Sequence, residues 1–86
     1  MYALGARAGA ERKLARLSKK DKSRMEALRK KVREIQEDPY RFKPLRAPMD
    51  HLRRVHIGPF VLTYSVDEPH KTVILVDFEH HDKVYR

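Results

Sequence analysis

The chain has 86 residues, 41% of them hydrophobic, and its 20 lysines and arginines outnumber 12 acidic residues to leave a formal charge of +8. That length allows one modest core and so a single domain over residues 1–86, and the apolar share is enough to fill it. With no cysteine, a disulfide framework and thiolate metal ligands are both excluded.

No apolar run approaches the ~18–20 residues of a membrane span. Charges scattered through MYALGARAGAERKLARL break up the block that a signal peptide needs. A cytoplasmic protein with no membrane partner is expected. The basic charge is concentrated in residues 1–46, which carry +9, whereas residues 47–86 carry −1 and all five histidines. A polyanionic partner suits such a surface, although a lysine-rich helix face is often no more than a solvated one.

In chain order, YALGAR (2–7) predicts a first strand. From Ala10 the spacing turns helical, with Ala10, Leu14 and Leu17 at i, i+4 and i+7. A second helix is predicted from near Ser18, where Ser18-x-x-Asp21 resembles a capping box. Met25, Leu28, Val32 and Ile35 make its apolar stripe, and Pro39 ends it near Asp38 by disfavouring helical geometry there. PYRFKPLRAPMD (39–50) holds three prolines and reads as an ordered loop.

The period then becomes two. HLRRVHI (51–57) puts Arg53, Val55 and Ile57 on one face and Leu52, Arg54 and His56 on the other. Gly58-Pro59 predicts a tight reversal, because glycine supplies a positive φ and proline the negative φ that follows. FVLTYSV (60–66) is a β-branched and aromatic strand, DEPHK (67–71) a turn, and TVILVDF (72–78) a strand apolar on both faces, hence central. These elements predict an α+β fold: an N-terminal strand, a two-helix hairpin, then a C-terminal antiparallel sheet of three to four strands packed against the helices.

If the helices cover one sheet face, the other stays open. Arg54 and His56 then stand side by side on it, about 7 Å apart by strand rise. Imidazole exchanges protons near neutral pH and guanidinium holds phosphate. Metal-free RNA cleavage needs a base for the 2′-hydroxyl, an acid for the leaving oxygen and cations around the phosphorane. Arg54, His56, His80, His81 and Tyr85 are residues of those types. The rival use of the histidines is a metal site with Asp77 and Glu79, but neighbouring strand residues point to opposite faces, and no HExxH-like spacing exists. No metal and no cofactor are expected, and phosphate loops and nucleophile elbows are absent.

The order of elements and the string HLRRVHIGPFVLTYSVDEPHKTVILVDFEHHDKVYR resemble the RelE/ParE toxin superfamily. Its members carry a stretch like Y-R-x-R-V-G-D-Y-R-V-x-Y, matched here by residues 54–64, and a terminal segment like G-H-R-x-x-V-Y, matched by residues 79–85. YALGARAGAERKLARL resembles the family's first strand and helix, and KPLRAP its loop before the sheet, so the likeness runs along nearly the whole chain.

The resemblance implies a RelE-like fold of the microbial ribonuclease type and a toxin of a type II toxin–antitoxin pair. RelE-like members cut mRNA in the ribosomal A site, whereas ParE-like members poison DNA gyrase without nuclease residues. Carried over position by position, Arg54 and His56 take the second-strand basic places, His81 the terminal arginine place and Tyr85 the tyrosine place. Val61 stands where the third strand has arginine, so one cation of the pattern is missing. His56 or Tyr85 is then the base, His81 the acid and Arg54 the phosphate clamp, with Lys43, Arg46, Arg53, His80 and Lys83 as further RNA contacts. The implied partners are mRNA, the ribosome and a RelB-like antitoxin, acidic and partly disordered when free. Gyrase inhibition, and an inactive relative that only binds RNA or its antitoxin, remain the alternatives.

Overall fold

The computed structural model describes residues 1–84. Its elements are β1 (Ala3–Ala6), α1 (Ala8–Lys20), α2 (Lys22–Glu37), β2 (Leu52–Ile57), β3 (Phe60–Asp67), β4 (Thr72–His80) and a single turn of helix, α3 (His81–Val84). The strands form one sheet in the order β1-β4-β3-β2. The three C-terminal strands are antiparallel as expected, but β1 pairs parallel with β4, so the sheet is mixed. Four residues, three of them small, carry no pattern that names a partner; the helical hairpin decides it, because Tyr2 and Gln36 exchange hydrogen bonds of 2.9 Å that tie the start of β1 to the end of α2.

The second helix begins later than the Ser18 pattern suggests. Ser18 Oγ donates to the Ala15 carbonyl (2.8 Å) inside α1, and the chain breaks at Asp21. Asp21 is itself the N-cap of α2, its Oδ1 accepting from the Arg24 N–H at 3.0 Å. Asp38 closes α2 where Pro39 requires it.

Both helices lie on one face of the sheet. Ala10, Leu28, Val32 and Ile35 bury against Val55, Ile57, Leu62, Tyr64, Val73, Leu75 and Phe78, while Leu14, Leu17 and Met25 pack at the margin. Losing one such side chain, as in Leu28→Ala, removes about 2–5 kcal/mol. Tyr64 is wholly buried, and its hydroxyl donates to the Pro39 carbonyl at 2.7 Å, so the loop after α2 is anchored in the core. Burial pushes this phenol up to about 12.

Loop 39–50 then runs along the outer edge of β2. Arg53 lies across the Tyr40 ring (5.1 Å to the centroid) and donates to the Phe42 carbonyl, and Leu45 N–H donates to the Leu52 carbonyl at 2.9 Å. At the opposite end, Ile57 pairs with Phe60 across a two-residue turn in which Gly58 has φ 58°. A Cβ there would stand 2.0 Å from Nη1 of Arg24, so the turn needs glycine for both conformation and space.

One irregularity governs the rest of the molecule. Thr63 pairs with Asp77 but Tyr64 pairs with Leu75, which leaves Val76 as an extra residue in β4. Before this bulge, Val73 and Leu75 face the helices; after it, Phe78 does. The strand's alternation is therefore reversed from Asp77 onward.

Candidate functional site on the open face of the sheet

The face away from the helices is a small grid fixed by register. One row runs His56, Val61, Glu79 and the next Arg54, Thr63, Asp77. The β2 column thus holds a guanidinium and an imidazole, the β3 column is neutral and the β4 column is acidic. Adjacent strands are about 4.8 Å apart, so the basic and acidic columns are separated by about 10 Å.

Arg54 and His56 share this face as alternation predicts, Arg54 half-buried and His56 exposed. The C-terminal turn of helix folds back towards them. His81 N–H donates to the Pro59 carbonyl at 2.7 Å, and the His81 ring comes to 6.1 Å from that of His56, centroid to centroid, tilted by 43°. The structure therefore brings His81 to His56, 25 residues away in sequence, with Arg54 on the same face as His56. Tyr85 lies outside the described residues.

Other residues singled out from the sequence fall elsewhere. The bulge turns His80 to the helix side, where it meets the Phe60 ring edge-on at 5.5 Å and its Nδ1 accepts from the Asp82 N–H at 3.2 Å. Arg53 also faces that side and is held by the loop carbonyls described above. Lys43 and Arg46 are exposed on the loop, and Arg46 shares a hollow with Arg54, Pro44, Leu45 and Met49. Lys83 on α3 sits 3.7 Å from a Glu79 oxygen. Val61 is 1% exposed and lies between His56 and Glu79 in the sheet, so its place is filled by packing and offers no charge.

Sequence reasoning missed the acidic column and its counter-ion. β1 ends at Ala6, opposite Leu75, so among the described residues no strand lies beside the edge of β4 beyond that point. Lys13 of α1 reaches round this edge and donates to Asp77 Oδ1 at 2.8 Å and Glu79 Oε2 at 2.6 Å. Asp77 and Glu79 together raise the Lys13 ammonium, and Lys13 in turn holds the Glu79 carboxyl below its ordinary range. The alternate carboxylates Asp77 and Glu79 were the available signal, but strict period two from Val73 would have sent both towards the helices. Among the described residues, no three of histidine, aspartate and glutamate are grouped so as to hold a metal ion. No helix among the described residues is long and apolar enough to cross a membrane.

A protein-family model described as "ParE toxin of type II toxin-antitoxin system, parDE" matches residues 7–85. The chain belongs to the RelE/ParE toxin superfamily. A putative toxin RelE4 of Methanocaldococcus jannaschii is 45% identical over 87 aligned positions, covering all of this chain and 93% of that one. An uncharacterized protein of Methanosarcina mazei is 48% identical over 86 positions, covering 99% and 100%. Among solved structures, a chain of the RelBE2 toxin–antitoxin complex of Mycobacterium tuberculosis superposes with a TM-score of 0.77 at 25% identity, covering 92% of this chain and 96% of that one. The mixed sheet under a helical hairpin is the architecture of the superfamily, and structural relatives within it are held by a cognate antitoxin. Both nuclease and non-nuclease branches share this fold.

Proposed function

We propose that this superfamily member is the toxin of a type II toxin–antitoxin pair and acts from the open sheet face as a metal-independent endoribonuclease on mRNA, on the ribosome, to stop translation. The observation that carries this reading is the approach of the His56 and His81 rings to 6.1 Å with Arg54 on the same face. In-line cleavage needs a base at the attacking 2′-hydroxyl and an acid at the leaving oxygen, each within about 3 Å of its own oxygen on opposite sides of phosphorus. Two imidazoles at this separation can bracket a phosphate, and Arg54 supplies a fixed charge for the phosphorane. His81 is assigned as acid and His56 as base, with Tyr85 sharing the base role, and Lys43, Arg46 and Lys83 as rim cations for the RNA. The basic helices supply the broader electrostatic contact with ribosomal RNA. A RelB-like acidic antitoxin suits the +8 chain.

A second reading has its own support. The matching family model carries the ParE description, and a buried Val61 leaves the middle of the face without a cation. Both weigh for a toxin that binds and stalls DNA gyrase without cutting RNA.

Induced expression followed by mapping of mRNA 5′ ends separates the two. Under the nuclease reading, new 5′ ends appear with wild type and fall by about a hundredfold or more in His56→Ala and His81→Ala. Equal cleavage by all three proteins refutes the site. No cleavage, together with inhibition of supercoiling by purified gyrase, establishes the second reading instead.

A further inference from the structure

A groove of about 380 Å³ lies on the open face between the 45–49 segment and β4. Met49, Leu52 and Val76 give it apolar walls, Thr63 lies on its floor, and Arg54 and Asp77 face each other across it. Arg54, Thr63 and Asp77 form one row of the sheet, so the cation and the carboxylate are about 10 Å apart at the backbone. The distance from a nucleotide's phosphate to the pairing edge of its base is of the same order. Glu79 and Lys83 line the groove beside Asp77; a slot with apolar walls, a guanidinium at one end and a carboxylate acceptor at the other has the chemistry of a nucleotide site, not of a phosphate site alone.

The geometry points to a base-reading subsite in which Asp77 accepts from the exocyclic amino group of a nucleobase whose phosphate is held at Arg54, favouring cytosine over uracil; this rests on the RNA-directed reading above. Lys13 makes Asp77 selective. Its Nζ and the Phe78 N–H both engage Oδ1, and among the described residues no hydrogen bond to Oδ2 is formed. Glu79 has less to offer, since Lys13 takes Oε2 while the His80 N–H and Lys83 approach Oε1. An ionised carboxylate only accepts. Cytosine presents N4–H₂ where uracil presents the O4 oxygen, so the same contact is a charged hydrogen bond for one base and acceptor facing acceptor for the other. The two pyrimidines have the same shape, which leaves Asp77 to make the difference.

The test is binding of 3′-cytidine and 3′-uridine monophosphate, neither of which can be cleaved, followed by NMR or calorimetry on the whole chain. Wild type is expected to bind the cytidine nucleotide about tenfold tighter, the worth of one charged hydrogen bond. Asp77→Asn, whose amide both donates and accepts, is expected to bring the two within about twofold. Equal binding by wild type, or a preference that survives in Asp77→Asn, overturns the subsite. If cleavage of mRNA is intact while wild type shows no preference, only this inference fails. If neither nucleotide binds and no mRNA is cut, the RNA-directed reading fails and this inference with it.

Discussion

Lys13 carries a charge of the helical layer onto the carboxylates of the open face, and Lys13→Met isolates that action. Methionine keeps most of the stem that packs beside Phe78 and removes only the ammonium. The side chain of Lys13 is 36% exposed, and those of Asp77 and Glu79 are 49% and 24% exposed. Water therefore screens both pairs, and each contributes about 0.2–1 kcal/mol, or about 1 kcal/mol for the two together. In a domain of this size that lowers Tm by about 4–8 °C.

The pH dependence follows from the sign of the shift. Lys13 holds the Glu79 carboxyl below its ordinary value of 4.5. The stabilisation is thus fully present above that value and is lost as pH falls through the lower, folded value. Wild type and Lys13→Met should differ by about 1 kcal/mol in urea denaturation at pH 7 and converge as pH falls below the ordinary carboxylate range and Glu79 protonates. Added salt should narrow the gap at pH 7. A gap that stays equal from pH 7 down through the protonation of Glu79 would refute the ion-pair account and assign the loss to packing of the stem. No gap at pH 7 in low salt would show that the contact contributes nothing.

Two further outcomes test other parts of the fold. Gly58→Ala places a side chain at φ 58° and 2.0 Å from a flexible guanidinium, and should cost about 1–2 kcal/mol by urea denaturation. Adding Arg24→Ala should recover only the steric part, so full recovery would refute the backbone argument. At the far end of the sheet, Lys71, Tyr40 and Tyr2 all donate to Glu68 and hold its carboxyl down to about 2. That contribution is present above the ordinary carboxylate range and lost as pH falls towards 2, so Glu68→Gln should flatten the stability profile between pH 5 and pH 2. An unchanged slope would show that the cluster does not stabilise the folded state.

Much of this was legible in the chain. Period 3.6 in Leu28, Val32 and Ile35 and period two in Val55 and Ile57 report which side chains must leave water, and burial followed them. Gly58-Pro59 and Pro39 acted through local backbone sterics, so the hairpin and the end of α2 stood where expected. The α2 cap was misplaced because Ser18 and Asp21 compete for one role. Local preference cannot say which will win until the interhelical turn is set by packing.

Arg54 and His56 on one face were determined by the sequence alone, because two residues along a regular strand admit no other arrangement. What stands opposite them was decided only in three dimensions. One extra residue at Val76, accommodated because β3 holds the register on both sides of it, reverses the strand beyond. It sends His80 to the helices and brings Asp77 and Glu79 out onto the face that carries Arg54 and His56, across β3 from them and within reach of Lys13. A strand's own alternation carries no mark of where a neighbour will force it to slip, so this polarity belongs to the sheet and not to any segment of the chain.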